Sequence, residues 1–432
     1  MPVLSARYHH IEPSAIRQAQ IAFESRTDGV KAINVAVGNV SLPMHPAMQK
    51  RMCNLTSSES PFADGIVRYT PTVGTPEAND AMKRVLEASG VDTTALFTHI
   101  TSGGSEAMEL IILGVCDKNR PLLVIDPIYS NYHTMASRVG VPVVAVPREL
   151  GSDGTFTRLN VDAVEALIST HRPGALLIIP YDNPTGTMLD QGTIDSLAAL
   201  CVRHDIWMVS DEAYRELHYG AQKLASVWRI DTAKVPGIEG KRVSIESVSK
   251  VWNACGLRIG AMVTDNELLH TQTVAEHTVT LCASAIGQYI FGAIAHENVE
   301  KLHEWFAIQR TYYETMSRAL VQGLQTSEPR LIVTAPESSL YCVVDVRALV
   351  PESFEAHDFC VFCAQKGGCE IEGEMFTLLL SPMSGFYTQS NYAKDPGRSQ
   401  IRIAYVQDAS TMQKVPKILM SLLHDYLARV RS

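Results

Sequence analysis

The sequence predicts an α/β protein: a mainly parallel central sheet flanked by helices, joined to a smaller α+β domain made from the two ends of the chain. Three observations predict it. Short runs rich in Val, Ile and Leu alternate with helical patterns between about residues 95 and 265. Those runs show almost no polar alternation, as expected of strands buried on both faces. After about residue 300 the pattern changes to one long amphipathic helix, scattered strands and a terminal helix.

In chain order, the predicted strands are Leu96–Ile100, Leu122–Ile125, Val141–Val146, Ala175–Ile179, Ile206–Val209, Arg242–Ile245 and Ile259–Val263. Helical stretches such as Ser105–Cys116 and Gly192–His204 lie between them, and this repetition calls for right-handed crossovers. His303–Leu324 reads as a long helix because Ile308, Tyr312, Met316, Leu320 and Leu324 recur every four residues. Strands near Leu340–Val346 and Ile401–Val406 follow, then a helix near Met412–Val430. Residues 1–45 are expected to form an arm and part of the small domain, 46–300 the large domain, and 301–432 the small C-terminal domain. Ser384–Gln400, with Gly385, Asn391, Pro396 and Gly397, reads as an exposed or active-site loop.

Composition narrows the function classes. The chain has 432 residues, 46% hydrophobic and 19% charged, which fits a globular protein and not a disordered one. A net charge of −9 does not suit a protein that binds nucleic-acid backbone. The 9 Cys are too sparse for a secreted disulfide scaffold. The N-terminal residues lack a basic stretch followed by an apolar one, and no apolar run is long enough to span a membrane. A reducing, cytoplasmic compartment is the expectation.

Four segments carry chemistry when weighed together. Thr101-Ser-Gly-Gly-Ser-Glu-Ala-Met108 joins a strand to a helix. Gly103 and Gly104 permit close backbone approach, and the open N–H groups of the first helical turn favour a phosphate; taken alone, this is an ordinary Gly-rich turn. Tyr181-Asp-Asn-Pro-Thr-Gly186 follows another strand, where open α/β sheets bind ligands, and offers the Asn183 amide. Asp211 and Glu212 end the strand beginning at Ile206, and a carboxylate buried there requires a partner. Ser247-Val-Ser-Lys250 is followed by Arg258 in a Gly-flanked turn. A lone Lys is ordinarily a solvated surface charge. A desolvated Lys beside another cation is a nucleophile for carbonyls.

One ligand unites the four: pyridoxal phosphate has an anionic phosphate, an aldehyde for a Lys, a ring nitrogen that pairs with a carboxylate and a phenolic oxygen that accepts hydrogen bonds. On these motifs the chain resembles the fold type I pyridoxal phosphate enzymes, specifically the class I/II (aspartate-aminotransferase-like) aminotransferases, over roughly residues 30–430. The resemblance implies that Lys250 forms the Schiff base and shuttles the substrate proton. Asp211 then pairs with the ring nitrogen, and Tyr214 and Asn183 bond the phenolic oxygen. Gly103, Gly104, Ser105, Ser247 and Arg258 hold the phosphate. Tyr129 stacks on the ring, with Tyr132 as the alternative. Arg402 clamps the substrate α-carboxylate, a task suited to a bidentate guanidinium, with Asn183 and Gly38 beside the substrate. Tyr69 matches a tyrosine donated to a neighbouring subunit, which implies a homodimer with shared sites. The implied reaction moves an amino group from an L-amino acid to a 2-oxo acid through pyridoxamine phosphate. A C–S lyase (β-elimination) or another lyase on the same scaffold is the alternative.

The chain departs from that pattern in places. Asp182 stands where the family commonly has Asn, and the segment Gly38–Pro46 is longer than usual. Ala275–Ser284 contains no Arg, so strict dicarboxylate specificity is not expected. A ligand-sensing module fused to a DNA-binding domain and a nicotinamide oxidoreductase fit less well, the latter because the Gly-x-Gly-x-x-Gly fingerprint is missing. Cys360 and Cys363 are expected to be core thiols, His9-His10 a surface pair and Trp207 a core residue. Ser384–Gln400 and the arm Asn39–Arg51 are candidates to line or cover the side-chain pocket, with Tyr387 and Asn391 as specificity residues.

Overall fold

The computed structural model describes residues 2–5, 8 and 15–431. The His9-His10 pair lies outside them. Strand β1 (Lys31–Asn34) comes first and does not join the central sheet. That sheet consists of β2 (Phe97–Thr101), β3 (Leu122–Ile125), β4 (Val143–Val146), β5 (Ala175–Ile178), β6 (Trp207–Asp211), β7 (Arg242–Ser247) and β8 (Gly260–Thr264). Their spatial order is β2-β8-β7-β6-β5-β3-β4. β8 runs antiparallel to both its neighbours, while β4, β3, β5, β6 and β7 pair in parallel. The residues of β3, β5 and β8 are all buried, which explains their lack of polar alternation.

The later strands are β9 (Ile332–Val333), β10 (Tyr341–Asp345), β11 (Cys369–Ile371), β12 (Glu374–Leu379), β13 (Ser381–Pro382) and β14 (Gln400–Ala404). They form a sheet β13-β14-β10-β9 and a second in which β12 lies between β1 and β11. β1 pairs with β12 in parallel, Ala32 opposite Thr377, and the helix Ala15–Glu24 packs on the helix Ala356–Gln365. The N-terminal segment is thereby fastened to the C-terminal part of the chain. The helix Pro46–Cys53 packs instead on the helix Ala285–Gly292.

The long helix spans Val299–Ser327 and packs on both Pro76–Ala88 and Ala409–Arg431. Its buried face includes Leu302, Phe306, Gln309, Tyr313, Met316, Leu320 and Leu324. Ile308, expected on that face, is 59% exposed. A strict four-residue spacing drifts by about 40° per step on a helix, so a stripe anchored at Leu324 has turned away by position 308.

Cys360 and Cys363 are buried free thiols on the helix Ala356–Gln365, and burial pushes both thiols up. Trp207 is half-buried and packs against the core. Ser384–Gln400 is not an open loop: it is folded into three short 3₁₀ turns with Phe386 and Tyr387 buried. Long-range hydrogen bonds hold it, among them the following. The Asp126 carboxylate accepts Thr388 N at 2.8 Å and Thr388 Oγ1 at 3.0 Å, and Asn391 Nδ2 donates to Ala145 O at 2.8 Å. No helix among the described residues is long and apolar enough to cross a membrane.

Candidate active site

The carboxyl ends of β2, β5, β6 and β7 open into one cavity of about 490 Å³, within the size range of small-molecule sites. At one end lies the turn from β2 into the helix Gly104–Val115. Gly103 is the N-cap at φ +83°, and it provides no side-chain cap, so the first turn keeps open N–H donors. A Cβ at Gly103 would lie 2.4 Å from Arg258 Nη2. A Cβ at Gly260 would lie 2.4 Å from Gly104 N, so β8 presses directly on this turn. Gly104, Ser105, Ser247 and Arg258 line this end of the cavity, and Gly103 lies behind them. Arg258 sits at φ +56°, with Nη1 donating to Cys255 O at 3.0 Å.

Asp211 is the last residue of β6 and only 6% exposed. Its carboxylate accepts Ala213 N at 3.1 Å and Tyr132 OH at 2.8 Å. Burial outweighs these donors and pushes its pKa up to about 6. A cation in the cavity would relieve that cost. Lys250 donates from Nζ to Gly38 O at 2.6 Å, so the N-terminal arm touches the amine directly. Asn183 accepts Arg402 Nη1 at 2.8 Å, and Arg402 Nη2 donates to Ala36 O at 2.6 Å. Arg402 Nε is buried and, among the described residues, has no hydrogen-bond partner. The guanidinium lies between the rings of Tyr341 at 4.2 Å and Phe386 at 4.8 Å.

Tyr129 and Tyr214 also line the cavity. Tyr129 accepts Asn131 Nδ2 at 2.7 Å, and burial pushes its phenol up to about 12. Tyr132, the alternative ring partner, is fully buried against Asp211 and does not line the cavity. Tyr69 is 80% exposed and sits away from the cavity, beside Cys282 and Ser284. Neither Tyr387 nor Asn391 lines the cavity: Tyr387 OH donates to Gln400 Oε1 at 2.7 Å, and their neighbour Phe386 takes the place expected of them.

The departure at Asp182 has a local explanation. Its buried carboxylate accepts Arg148 Nη2 at 2.7 Å and Thr185 Oγ1 at 2.5 Å. An amide there would take away the counter-charge that Arg148 is hydrogen-bonded to.

Sequence reasoning missed Tyr341, Phe386, Arg17 and Gln20, all of which line the cavity. Tyr341 and Phe386 lie in segments that read as strand and turn, where an aromatic is ordinarily core. Arg17 and Gln20 sit on a short helix remote in sequence from every motif. Tyr132 was noticed, but its bond to Asp211 spans 79 positions and has no local signal.

The residues present fit pyridoxal phosphate. The uncapped helix start, two serines and Arg258 suit a phosphate. The buried Asp211 carboxyl suits a protonated ring nitrogen, and Lys250 and Tyr214 border the space between. Fold and site together define a fold type I pyridoxal phosphate enzyme. The chain belongs to the aminotransferase class I and II family, whose description it matches over residues 32–412. It is a pyridoxal phosphate-dependent aminotransferase. Aspartate/prephenate aminotransferase of Thermus thermophilus is 24% identical over 359 residues, 82% of this chain and 87% of that protein. Arginine–pyruvate transaminase AruH of Pseudomonas aeruginosa is 28% identical over 280 residues, 64% of this chain and 66% of its own length. The structure of Thermus thermophilus aspartate aminotransferase with maleate superposes with a TM-score of 0.79 at 20% identity, covering 98% of this chain and 100% of that one.

Proposed function

We propose that this aminotransferase moves the amino group of an L-amino acid to a 2-oxo acid in the cavity bounded by Lys250, Asp211 and Arg402. One observation carries the reading. A primary amine, a buried carboxyl and a guanidinium whose Nε has no hydrogen-bond partner among the described residues share a single cavity. When bound, the cofactor supplies an electron sink adjacent to the substrate Cα. Asp211 holds the proton on the ring nitrogen. Tyr214 and Asn183 supply hydrogen bonds to the phenolic oxygen. The serines, Arg258 and the glycine turn hold the phosphate. Tyr129 covers the ring. Arg402 fixes the substrate carboxylate beside Gly38 and so sets which Cα bond faces the sink. Lys250 then takes the Cα proton and would deliver it to the carbon derived from the cofactor's aldehyde.

The division into residues 1–45, 46–300 and 301–432, a homodimer and a cytoplasmic setting belong to the same reading. Support for the dimer comes from exposed Ile66, Val67, Tyr69, Val279 and Leu281, an apolar group on either side of the groove at Cys282. Tyr69 then reaches the partner's phosphate site.

For the acceptor class the reading points to Arg17, which lines the cavity and donates from Nη1 to Gln20 Oε1 at 3.0 Å. It favours a 2-oxo acid with a second carboxylate, of the 2-oxoglutarate type, over pyruvate. Arg17→Ala should raise KM for 2-oxoglutarate about 5- to 10-fold, the loss of roughly 1 kcal/mol expected for a partly exposed ion pair, and leave KM for pyruvate unchanged. Equal changes for both acceptors overturn the assignment.

The reaction itself is tested by product analysis. The cofactor-loaded enzyme, given a panel of L-amino acids with an oxo acid, should form the donor's oxo acid and the acceptor's amino acid without ammonia. Ammonia with pyruvate would mark β-elimination instead. Lys250→Ala should abolish turnover and the visible absorption of the bound cofactor.

A further inference from the structure

We propose that Tyr341 is a positioning residue of this active site: its hydroxyl donates to the Tyr214 oxygen, which leaves the Tyr214 proton to point at the cofactor's phenolic oxygen. The inference rests on the cofactor contact proposed above for Tyr214. Tyr341 opens β10, on the C-terminal side of the fold, whereas Tyr214 follows β6 of the central sheet.

The two hydroxyls are 2.8 Å apart, and both residues are buried, at 2% and 5% exposure. Burial pushes the Tyr214 phenol well up, so it keeps its proton at neutral pH. No other hydrogen bond to either hydroxyl is present among the described residues. A 2.8 Å contact between two phenols holds one proton between the oxygens, so the second must be directed elsewhere. Two features decide which phenol donates. The Arg402 guanidinium lies 4.2 Å from the centre of the Tyr341 ring, and a cation on the ring face withdraws electron density and strengthens that O–H as a donor. On its other side Tyr341 is walled in: a Cβ on Gly38 would lie 2.1 Å from the Tyr341 oxygen, so the arm backbone occupies the space a second partner would need. The proton left to point into the cavity is therefore that of Tyr214. A phenol that accepts one hydrogen bond while donating another is the stronger donor, because chained hydrogen bonds polarise one another.

A hydrogen bond to the phenolic oxygen stabilises its anionic form and so opposes protonation of the neighbouring nitrogen joined to Lys250. Removing the Tyr341 hydroxyl weakens that bond and makes the nitrogen more basic. Tyr341→Phe keeps the ring against Arg402 and hence the carboxylate clamp.

The test is a spectroscopic pH titration of the cofactor-loaded enzyme, following the visible band, for the parent, Tyr341→Phe, Tyr214→Phe and the double variant. Tyr341→Phe should move the midpoint to higher pH. Tyr214→Phe should move it further, and the double variant should match Tyr214→Phe alone, because Tyr341 acts only through Tyr214. kcat of Tyr341→Phe should fall about 2- to 10-fold, the range expected for one hydrogen bond, with KM for the amino acid nearly unchanged. A Tyr341→Phe titration superimposed on the parent, while Tyr214→Phe moves, overturns the proposal. So does a shift to lower pH, or a double variant that shifts beyond Tyr214→Phe. Parent-like titrations for both single variants would instead remove the Tyr214 contact, and with it the reading on which this proposal rests.

Discussion

Arg402 and Asn183, 219 positions apart, are joined by a 2.8 Å hydrogen bond from Nη1 to Oδ1 across the cavity. The proposed substrate clamp and an amide proposed for the cofactor's phenolic oxygen are thus one unit. Together with the bond from Nη2 to Ala36 O, this contact fixes the guanidinium plane and leaves Nε without a partner among the described residues.

Arg402→Lys should therefore be severe despite retaining the charge. A lysine cannot hold Asn183, Ala36 O and a carboxylate in one plane. KM for the amino donor should rise by about 30-fold or more, from the roughly 2 kcal/mol or greater loss typical of a broken charge-assisted pair, and the Asn183 amide should lose its orientation. Steady-state kinetics checks this; a KM within threefold of the parent would falsify the clamp assignment.

Asp211 makes the cofactor-free protein sensitive to pH. Its folded-state pKa is raised to about 6 from an ordinary 3.8, so the native state holds the proton more tightly than the unfolded chain does. The sign follows: this group favours the fold most below pH 4, and that contribution is lost as pH rises through about 6, an effect on the order of 3 kcal/mol. Asp126 is also raised to about 6 and Glu246 to about 8, and burial raises Asp182, so the parent curve contains several groups. The parent-minus-variant difference isolates Asp211. In thermal melts without cofactor, Asp211→Asn should gain stability relative to the parent between pH 4.5 and 7. In the loaded enzyme it should lose most activity, because a neutral amide does not keep the ring nitrogen protonated. A pH-independent difference in melting temperature would refute the account.

Much of the fold was legible because buried parallel strands leave uninterrupted apolar runs, and β3 was placed with both its ends correct. Several of the site residues that sequence placed in the cavity, such as Gly104, Ser105, Asp211 and Ser247, sit at strand ends and helix starts, where polar residues stand out against the core. What sequence could not show depends on long-range packing. Tyr341 and Phe386 reach the cavity only because the C-terminal part of the chain folds back over it, and Tyr387 and Phe386 look equivalent until the 3₁₀ turn turns one side chain inward and the other toward Gln400.

That difference gives a direct comparison. Phe386→Ala removes one of the two rings against Arg402 and opens the cavity wall, so it should change the ranking of amino-acid donors. Asn391→Ala touches only the Ala145 carbonyl tie and should change stability but not the ranking. Kinetics over a panel of amino acids with each variant separates them. Matching donor rankings for Phe386→Ala and the parent would show that this ring does not shape the substrate pocket.

Asp182→Asn restores the residue more common in the resembled family, yet here it should destabilise the protein. Burial raises the Asp182 pKa, while Arg148, whose side chain is 8% exposed, donates to it at 2.7 Å and favours the charged form. The neutral amide can still accept from Arg148 but removes its hydrogen-bonded counter-charge, leaving the buried guanidinium to the Asp126 carbonyl, which accepts from Nε at 2.9 Å, the Phe156 ring 5.7 Å away and the field of the Asp126 carboxylate. Breaking a buried pair from one side costs about 3–5 kcal/mol, which in a chain of this size is a fall of several degrees in melting temperature. Adding Arg148→Met removes the stranded charge and should recover part of the loss, because the penalty is the uncompensated guanidinium and not the missing carboxylate itself. If Asp182→Asn melts with the parent, or if the double variant is less stable than Asp182→Asn, the pair does not act as a charge-compensating unit.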